Sequence, residues 1–245
     1  FEADCTCQLL GYSNLNEPCS DGNTCNASSN TCNPHYGLSC DPDACICVGE
    51  PIITGISPQG GFCDNDINQA CLNDTACDGG SCNISQANGA LGNLITVYGY
   101  NFDHYDQDYS KVNLIKRDGE EEIIITAQVP SELNAACGNS WNNQQIVVAI
   151  PTSTALSVED EIEIEVVTRL EKTDRSQDEN GPLLESLLIN NLERPGLCSV
   201  KKVGDDNTEG ELEGQMNDEL EYHGLNLINS KAYFGNSVSN ILGLS

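Results

Sequence analysis

Ile95-Thr96-Val97-Tyr98-Gly99-Tyr100-Asn101-Phe102 returns later in the chain as Leu220-Glu221-Tyr222-His223-Gly224-Leu225-Asn226-Leu227. The shared core is apolar-x-x-x-Gly-apolar-Asn-apolar. Ile95, Thr96, Val97 and Tyr98 are β-branched or aromatic, so the segment reads as a strand. A proline-led strand precedes each copy: Pro51-Ile52-Ile53-Thr54-Gly55-Ile56, and Pro195-Gly196-Leu197-Cys198-Ser199-Val200. Pro51 lies 48 residues before Gly99 and Pro195 lies 29 before Gly224, a difference of 19. The block Cys63–Cys82 is 20 residues long. Removing it brings the copies into register, so the chain holds two copies of one β unit, the first carrying an insertion.

The rest of the first copy also has β character. Ile52 to Ile56 ends in the turn signal Ser57-Pro58-Gln59-Gly60-Gly61. Val112 to Ile115 and Ile123 to Ile125 flank Asp118-Gly119, a hairpin turn pair. Ile146 to Ile150 has the composition of a buried strand. Ile162, Ile164 and Val166 alternate with Glu161, Glu163 and Glu165, the period of a half-exposed strand. Leu183 to Leu188 fits a final strand or a helical turn. Short strands divided by turns predict an all-β, antiparallel sandwich.

Several of these segments together resemble the IPT/TIG family. They are Pro51-x-Ile53-x-x-Ile56-Ser57-Pro58-x-Gly60-Gly61, then Ile95-Thr96-Val97-x-Gly99-x-Asn101-Phe102, then Ile146-Val147-Val148-x-Ile150-Pro151 and Ile164-Glu165-Val166-Val167-Thr168. The family comprises immunoglobulin-like β-sandwiches of cell-surface receptors, bacterial adhesins, some glycan-active enzymes and Rel-type transcription factors. The resemblance implies a first IPT/TIG-like sandwich over 51–192, with a cysteine-rich insertion at 63–82, and the start of a second over 195–245. Ala232-Tyr233-Phe234-Gly235 resembles the next family strand. The second sandwich is expected to be incomplete, with the missing strands supplied by further chain or by another subunit. The family shares architecture and no common active site.

Charge and cysteine separate the remaining segments. The 245 residues carry 38 Asp and Glu against 10 Lys and Arg, a net charge of −28. No Lys or Arg precedes Lys111. Such a surface repels phosphate backbones and anionic headgroups, which excludes nucleic-acid partners and simple membrane-surface binding, and it attracts cations. No run of eighteen apolar residues is present to insert into a membrane. The chain starts at Phe1, with no initiator Met and no signal peptide, and reads as a processed chain or a fragment.

The fourteen cysteines are Cys5, Cys7, Cys19, Cys25, Cys32, Cys40, Cys45, Cys47, Cys63, Cys71, Cys77, Cys82, Cys137 and Cys198. None is spaced as CxxC, which removes the zinc-ribbon, thioredoxin and haem-attachment readings. His35, His104 and His223 are too scattered to complete a mixed metal site. Metal–thiolate binding survives only through Cys5-Thr6-Cys7 and Cys45-Ile46-Cys47. The even count in Asn/Gly/Asp-rich loops predicts disulfides of unknown pairing and an oxidising, extracellular or cell-surface location. Residues 1–50 form a cysteine-rich module that only disulfides can hold together.

Asp64-Asn65-Asp66-Ile67-Asn68 alternates oxygen ligands as a calcium loop does. Gln69 and Thr75 stand where an EF-hand needs Gly and Glu, so an EF-hand is excluded. Asp64, Asp66 and Asn68 are candidate Ca²⁺ ligands, helped by Asp74 or Asp78; the competing reading is a solvated acidic loop held by disulfides. Asp103, Asp106 and Asp108 form a second acidic cluster, and Asp41 with Asp43 a third. Asn26, Asn73 and Asn83 head glycosylation sequons. No nucleophile elbow, Walker loop or HExxH is present, and Asp103-His104 has no nucleophile beside it. Trp141 is the single tryptophan, thin for a sugar platform.

The expected function is therefore non-enzymatic, with no required cofactor and Ca²⁺ as the candidate ion. The chain reads as an extracellular repeat unit of a cell-surface filament, appendage or adhesin that self-associates into a polymer. The alternatives are a receptor or adhesin ectodomain binding surface proteins or glycans, and an accessory domain of a polysaccharide-active enzyme. The order of an eight-cysteine segment followed by sandwiches resembles that of plexin-like receptors.

Overall fold

Period-2 alternation decides where the strands of the first copy turn their side chains. The structure is a computed structural model that describes Cys32, 38–40, 46–133, Cys137, 140–177, 184–202, 220–227, 231–234 and 237–240. In chain order the strands are β1 (Ser39–Cys40), β2 (Cys47–Val48), β3 (Ile52–Ser57), β4 (Phe62–Cys63), β5 (Asp66–Ala70), β6 (Cys82–Asn83), β7 (Asn88–Gly89), β8 (Leu94–Tyr100), β9 (Lys111–Asp118) and β10 (Glu121–Thr126). A short helix, Pro130–Leu133, precedes β11 (Gln145–Ala149), β12 (Glu161–Val167), β13 (Thr173–Arg175) and β14 (Leu187–Ile189). The second copy contributes β15 (Gly196–Lys202), β16 (Leu220–Leu225), β17 (Lys231–Phe234) and β18 (Ser237–Asn240). The fold is all-β.

Two sheets share one core. The larger runs β10-β9-β12-β14-β7, with β13 on β12, and the smaller runs β11-β8-β3. The β14–β7 pair is parallel and the other pairs are antiparallel. Ile53, Ile56, Ile95, Val97, Ile146 and Val148 from the small sheet meet Val112, Leu114, Ile162, Ile164, Val166, Leu187 and Ile189 from the large one. Most of these are completely buried. Removing that much apolar surface from water is the main stabilising term. Trp141 belongs to this core, its indole N–H donating to the Phe102 carbonyl at 3.0 Å, so it anchors packing and forms no sugar platform. The ambiguous stretch before residue 189 resolves in part: Leu187–Ile189 is strand, while 178–183 lie outside the described residues.

Two local expectations shift. The β9–β10 loop is Gly119-Glu120, one residue beyond the expected pair, because Asp118 already pairs with Glu121. Gly119 at φ 67° supplies the left-handed first position that such a loop needs. On β12 the glutamates do face outward, yet the Glu163 side chain is only 4% exposed. Arg117 covers it at 2.8 Å, while Arg175 joins Glu165 at 2.9 Å and Glu122 at 3.0 Å. The hydrogen bond to Glu122 raises the Arg175 pKa first, partial burial opposes it, and Glu165 adds to the rise. The outer face of the large sheet is thus a cross-strand charge network rather than a row of free carboxylates.

The insertion builds its own small sheet, β5-β4-β6, with one 3-10 turn at Asp74–Ala76. Disulfides Cys63–Cys77 and Cys71–Cys82 fill its centre, a cluster separate from the main core. Closing loops of 14 and 11 residues in the unfolded chain contributes about 3 kcal/mol each in the chain-entropy account. Farther back, Cys32–Cys47 closes another small cluster with Leu38. Every described cysteine is oxidised, Cys40 included; Cys5, Cys7, Cys19, Cys25 and Cys45 lie outside the described residues. No helix among the described residues is long and apolar enough to cross a membrane.

The repeated motif has repeated geometry. β3 pairs with β8 through Ile52↔Tyr100 and Ile53↔Gly99, then slips before Gly55. β15 pairs with β16 through Gly196↔Leu225 and Leu197↔Gly224, then slips before Ser199. The bulge falls on the equivalent residue in both copies, Thr54 and Cys198. A Cβ on Gly99 would sit 2.0 Å from the Ile52 carbonyl oxygen, and one on Gly224 would sit 2.0 Å from that of Gly196. Glycine is required at both places by close backbone approach. Accordingly, Gly99→Ala is expected to lower stability by about 2–3 kcal/mol through overpacking against backbone that cannot yield. Gly55→Ala, whose Cβ would meet only Tyr98 at 3.8 Å, is expected to be near neutral. Urea-unfolding midpoints of the two variants check the contrast.

Candidate functional site

The residues after each glycine fix how a unit receives its preceding segment. Asn101 and Asn226 both adopt the left-handed conformation, at φ 61° and 55°, which asparagine tolerates better than most residues. In the first copy the Asn101 carboxamide donates to the carbonyl of Glu50 at 3.0 Å. In the second, the Asn226 carboxamide lies 3.5 Å from the carbonyl of Arg194 and 3.3 Å from Asn93 Oδ1. Glu50 and Arg194 both immediately precede the proline of the following strand. The Gly-x-Asn element therefore serves two purposes, close strand pairing and a clamp on the incoming chain.

At Arg194 the clamp becomes a junction between the copies. Its guanidinium donates to the Asn88 carbonyl at 3.0 Å, the Gly60 carbonyl at 3.0 Å and Asn88 Oδ1 at 2.6 Å. Burial lowers its pKa from the ordinary arginine value, and carbonyl dipoles hold the charge in place. Asn88, Asn93 and Asn190 are essentially inaccessible. Asn190 donates to Asn88 Oδ1 at 2.9 Å, and Asn93 donates to the Leu192 carbonyl at 2.8 Å while accepting from the Arg194 amide at 3.0 Å. Gly196 packs so closely that a Cβ there would sit 2.7 Å from Leu94. The disulfide Cys137–Cys198, spanning 61 residues, ties the first copy to β15 at its bulge. Closing a loop of that length contributes about 4 kcal/mol in the chain-entropy account.

The side-chain oxygens of the acidic insertion accept from backbone amides, most of them its own. Asp64 accepts from the Ser81 amide at 2.7 Å, Asp66 from the Asn68 amide at 3.1 Å, and Asn68 from the Asn191 amide at 2.9 Å. Asp74 accepts from the Cys82 amide at 2.8 Å. The Asp78 carbonyl accepts from the Asn65 carboxamide at 3.1 Å. These are turn and strand clips. Among the described residues, the three His, Cys, Asp or Glu ligand atoms that converge are the sulfurs of Cys63, Cys71 and Cys77, which are committed to disulfides. Cys47 is likewise bonded, to Cys32, so Cys45-Ile46-Cys47 offers no thiolate pair.

The cluster after Phe102 is also structural. Asp103 is buried with a φ of 62°, forms an ion pair with Arg169 and accepts from the His104 amide at 2.7 Å. The His104 ring stands 2.8 Å away and 64% exposed. Asp106 accepts from the Asp108 amide at 3.0 Å and its own amide donates to Ser110 Oγ at 3.0 Å. Tyr105 stacks tilted on Trp141 at 5.7 Å, its pKa raised first by burial and then by Glu132 and Asp106. His223 faces Glu221 at 3.5 Å, and His35, Asp41, Asp43 and Asn26 lie outside the described residues. A cleft of about 120 Å³ lined by Ile56, Gln59, Ser85, Ala87, Leu184 and Glu185 is well below the ~300 Å³ of ligand pockets. No family model, curated protein or solved structure matches the chain.

Asp64, Asp66 and Asn68 each accept from a different backbone amide, and the junction is the feature that sequence reading missed. Its one signal was an arginine placed directly before the second proline-led strand. Two outcomes follow from the geometry. Arg194→Ala removes three hydrogen bonds and takes this donor from the Asn88 carbonyl, while Asn190 still donates to Asn88 Oδ1 and the Asn88 carboxamide to the Gly60 carbonyl; a loss of about 2 kcal/mol in thermal or urea unfolding is expected. Chelation with EGTA is expected to leave the melting temperature unchanged at physiological salt, because the loop is held by amides and disulfides; a clear drop would assign calcium to Asp64, Asp66 and Asn68.

Proposed function

We propose that this protein is a non-enzymatic extracellular structural protein, a repeat unit of a cell-surface filament, appendage or adhesin built from IPT/TIG-like, immunoglobulin-like sandwiches. The observation that carries the reading is the junction. A linker held by buried asparagines and a guanidinium, and bridged by Cys137–Cys198, fixes the orientation of successive units. Such rigidity suits a protein that transmits load or sets length, whereas domains that only tether a site are usually joined by mobile linkers. Oxidation of every described cysteine supports an extracellular location.

The second copy extends the reading to assembly. β15–β16 repeats the register and bulge of β3–β8, and β17–β18 follows it in the chain as the β9–β10 hairpin follows β8 in the first copy. There, β11 covers the free edge of β8 and β12 that of β9. Among the described residues β16 and β17 have no such neighbours. In the proposed assembly those edges take strands from a neighbouring subunit or from further chain, in the manner of strand addition. Negative-stain electron microscopy of material from the native source tests this directly. Extended filaments with a regular axial repeat are expected; isolated, non-polymerising particles would favour a receptor-like ectodomain instead.

A further inference from the structure

The two most exposed large apolar side chains among the described residues are Leu72, at 97%, and Ile84, at 79%. Each is the immediate neighbour of a sequon asparagine: Leu72 precedes Asn73, and Ile84 follows Asn83. The Cys71–Cys82 disulfide, with Cα atoms 5.9 Å apart, brings Leu72-Asn73 and Asn83-Ile84 to the two sides of one bridge. Bare apolar side chains at that exposure on the rim of a hydrophilic, disulfide-held loop are unfavourable unless something covers them.

The asparagines are presented alike. Asn73 Oδ1 accepts from the Thr75 amide at 3.1 Å and from the Thr75 hydroxyl. Asn83 Oδ1 accepts from the Ser85 and Gln86 amides, both at 3.0 Å. In both, the carboxamide oxygen is held by the residue two positions on, and among the described residues neither Nδ2 donates a hydrogen bond. We propose that Asn73 and Asn83 carry N-linked glycans whose first sugars cover Leu72 and Ile84, making the insertion a glycan-bearing face of the first unit. In the transfer, Nδ2 bonds to the anomeric carbon of an oligosaccharide on a lipid-pyrophosphate donor. The anomeric C–O bond to pyrophosphate breaks, Nδ2 loses one proton and the lipid pyrophosphate leaves.

This rests on the extracellular reading, and the test separates the two. Protein from the native source is treated with an amidase that releases N-glycans and converts the acceptor asparagine to aspartate, then mapped as peptides, with the thiol state read on the same sample. Conversion at both Asn73 and Asn83 is expected. Unconverted asparagines in a fully oxidised protein would overturn the glycan assignment alone, while free thiols would overturn the compartment as well. In a glycosylating secretory host, Thr75→Ala and Ser85→Ala are each expected to remove one glycan mass and to raise binding of a hydrophobic dye. Adding Leu72→Ser or Ile84→Ser should reverse the dye signal; dye binding that ignores these substitutions would count against the shielding role.

Discussion

The Ile52 carbonyl oxygen occupies the space where any residue but glycine at position 99 would place its Cβ. That approach sets the β3–β8 register, and the register sets the bulge that lets Ile53 and Ile56 both face the core. Two residues on, the chain passes through a left-handed turn at Asn101, whose carboxamide closes on the Glu50 carbonyl. One short motif thus carries strand pairing, core facing and the entry of the preceding segment. The second copy repeats it with Gly224, Gly196 and Asn226. A motif that builds a strand pair and fixes the direction of its incoming linker is well suited to tandem arrays, since each added unit inherits a defined orientation.

The uneven charge acquires a physical division of labour. Cations begin at Lys111 and sit beside buried or half-buried carboxylates: Arg169 at Asp103, Arg117 at Glu163, and Lys116 at the half-buried Asp160. Asp103 and Glu163 side chains are each 4% exposed, and burial without a partner would be severely unfavourable. The exposed pair Lys172–Glu50 contributes little by comparison. The insertion has no cation of its own, and its acids answer backbone amides instead. Its surface is left acidic because disulfides, not charge pairing, hold it together.

Strand positions were legible because β-branched residues and period-2 alternation follow directly from pleating. The unequal spacing of the two copies points to the same stretch, 63–82, whose strands form a small sheet and cysteine cluster of their own. The junction was not. Asn88, Asn93 and Asn190 look like ordinary turn residues, and only contacts such as Arg194 to Asn88, 106 positions apart, turn them into a buried network. The burial of Glu163 depends on Arg117 from another strand, which strand alternation does not encode. The calcium-like spacing of Asp64, Asp66 and Asn68 leaves the contacts of these residues unread for a related reason. It is a local pattern, whereas the partner of Asn68 is the Asn191 amide, 123 positions along the chain.

The pairing of the last two cysteines bears most directly on whether the copies are fixed to each other. Non-reducing peptide mapping of the intact protein reads it without perturbing the fold. A cross-linked peptide joining Cys137 to Cys198 is the predicted result. Recovery of either cysteine as a free thiol, or joined to a cysteine of the N-terminal module or the insertion, would contradict a rigid junction between the copies.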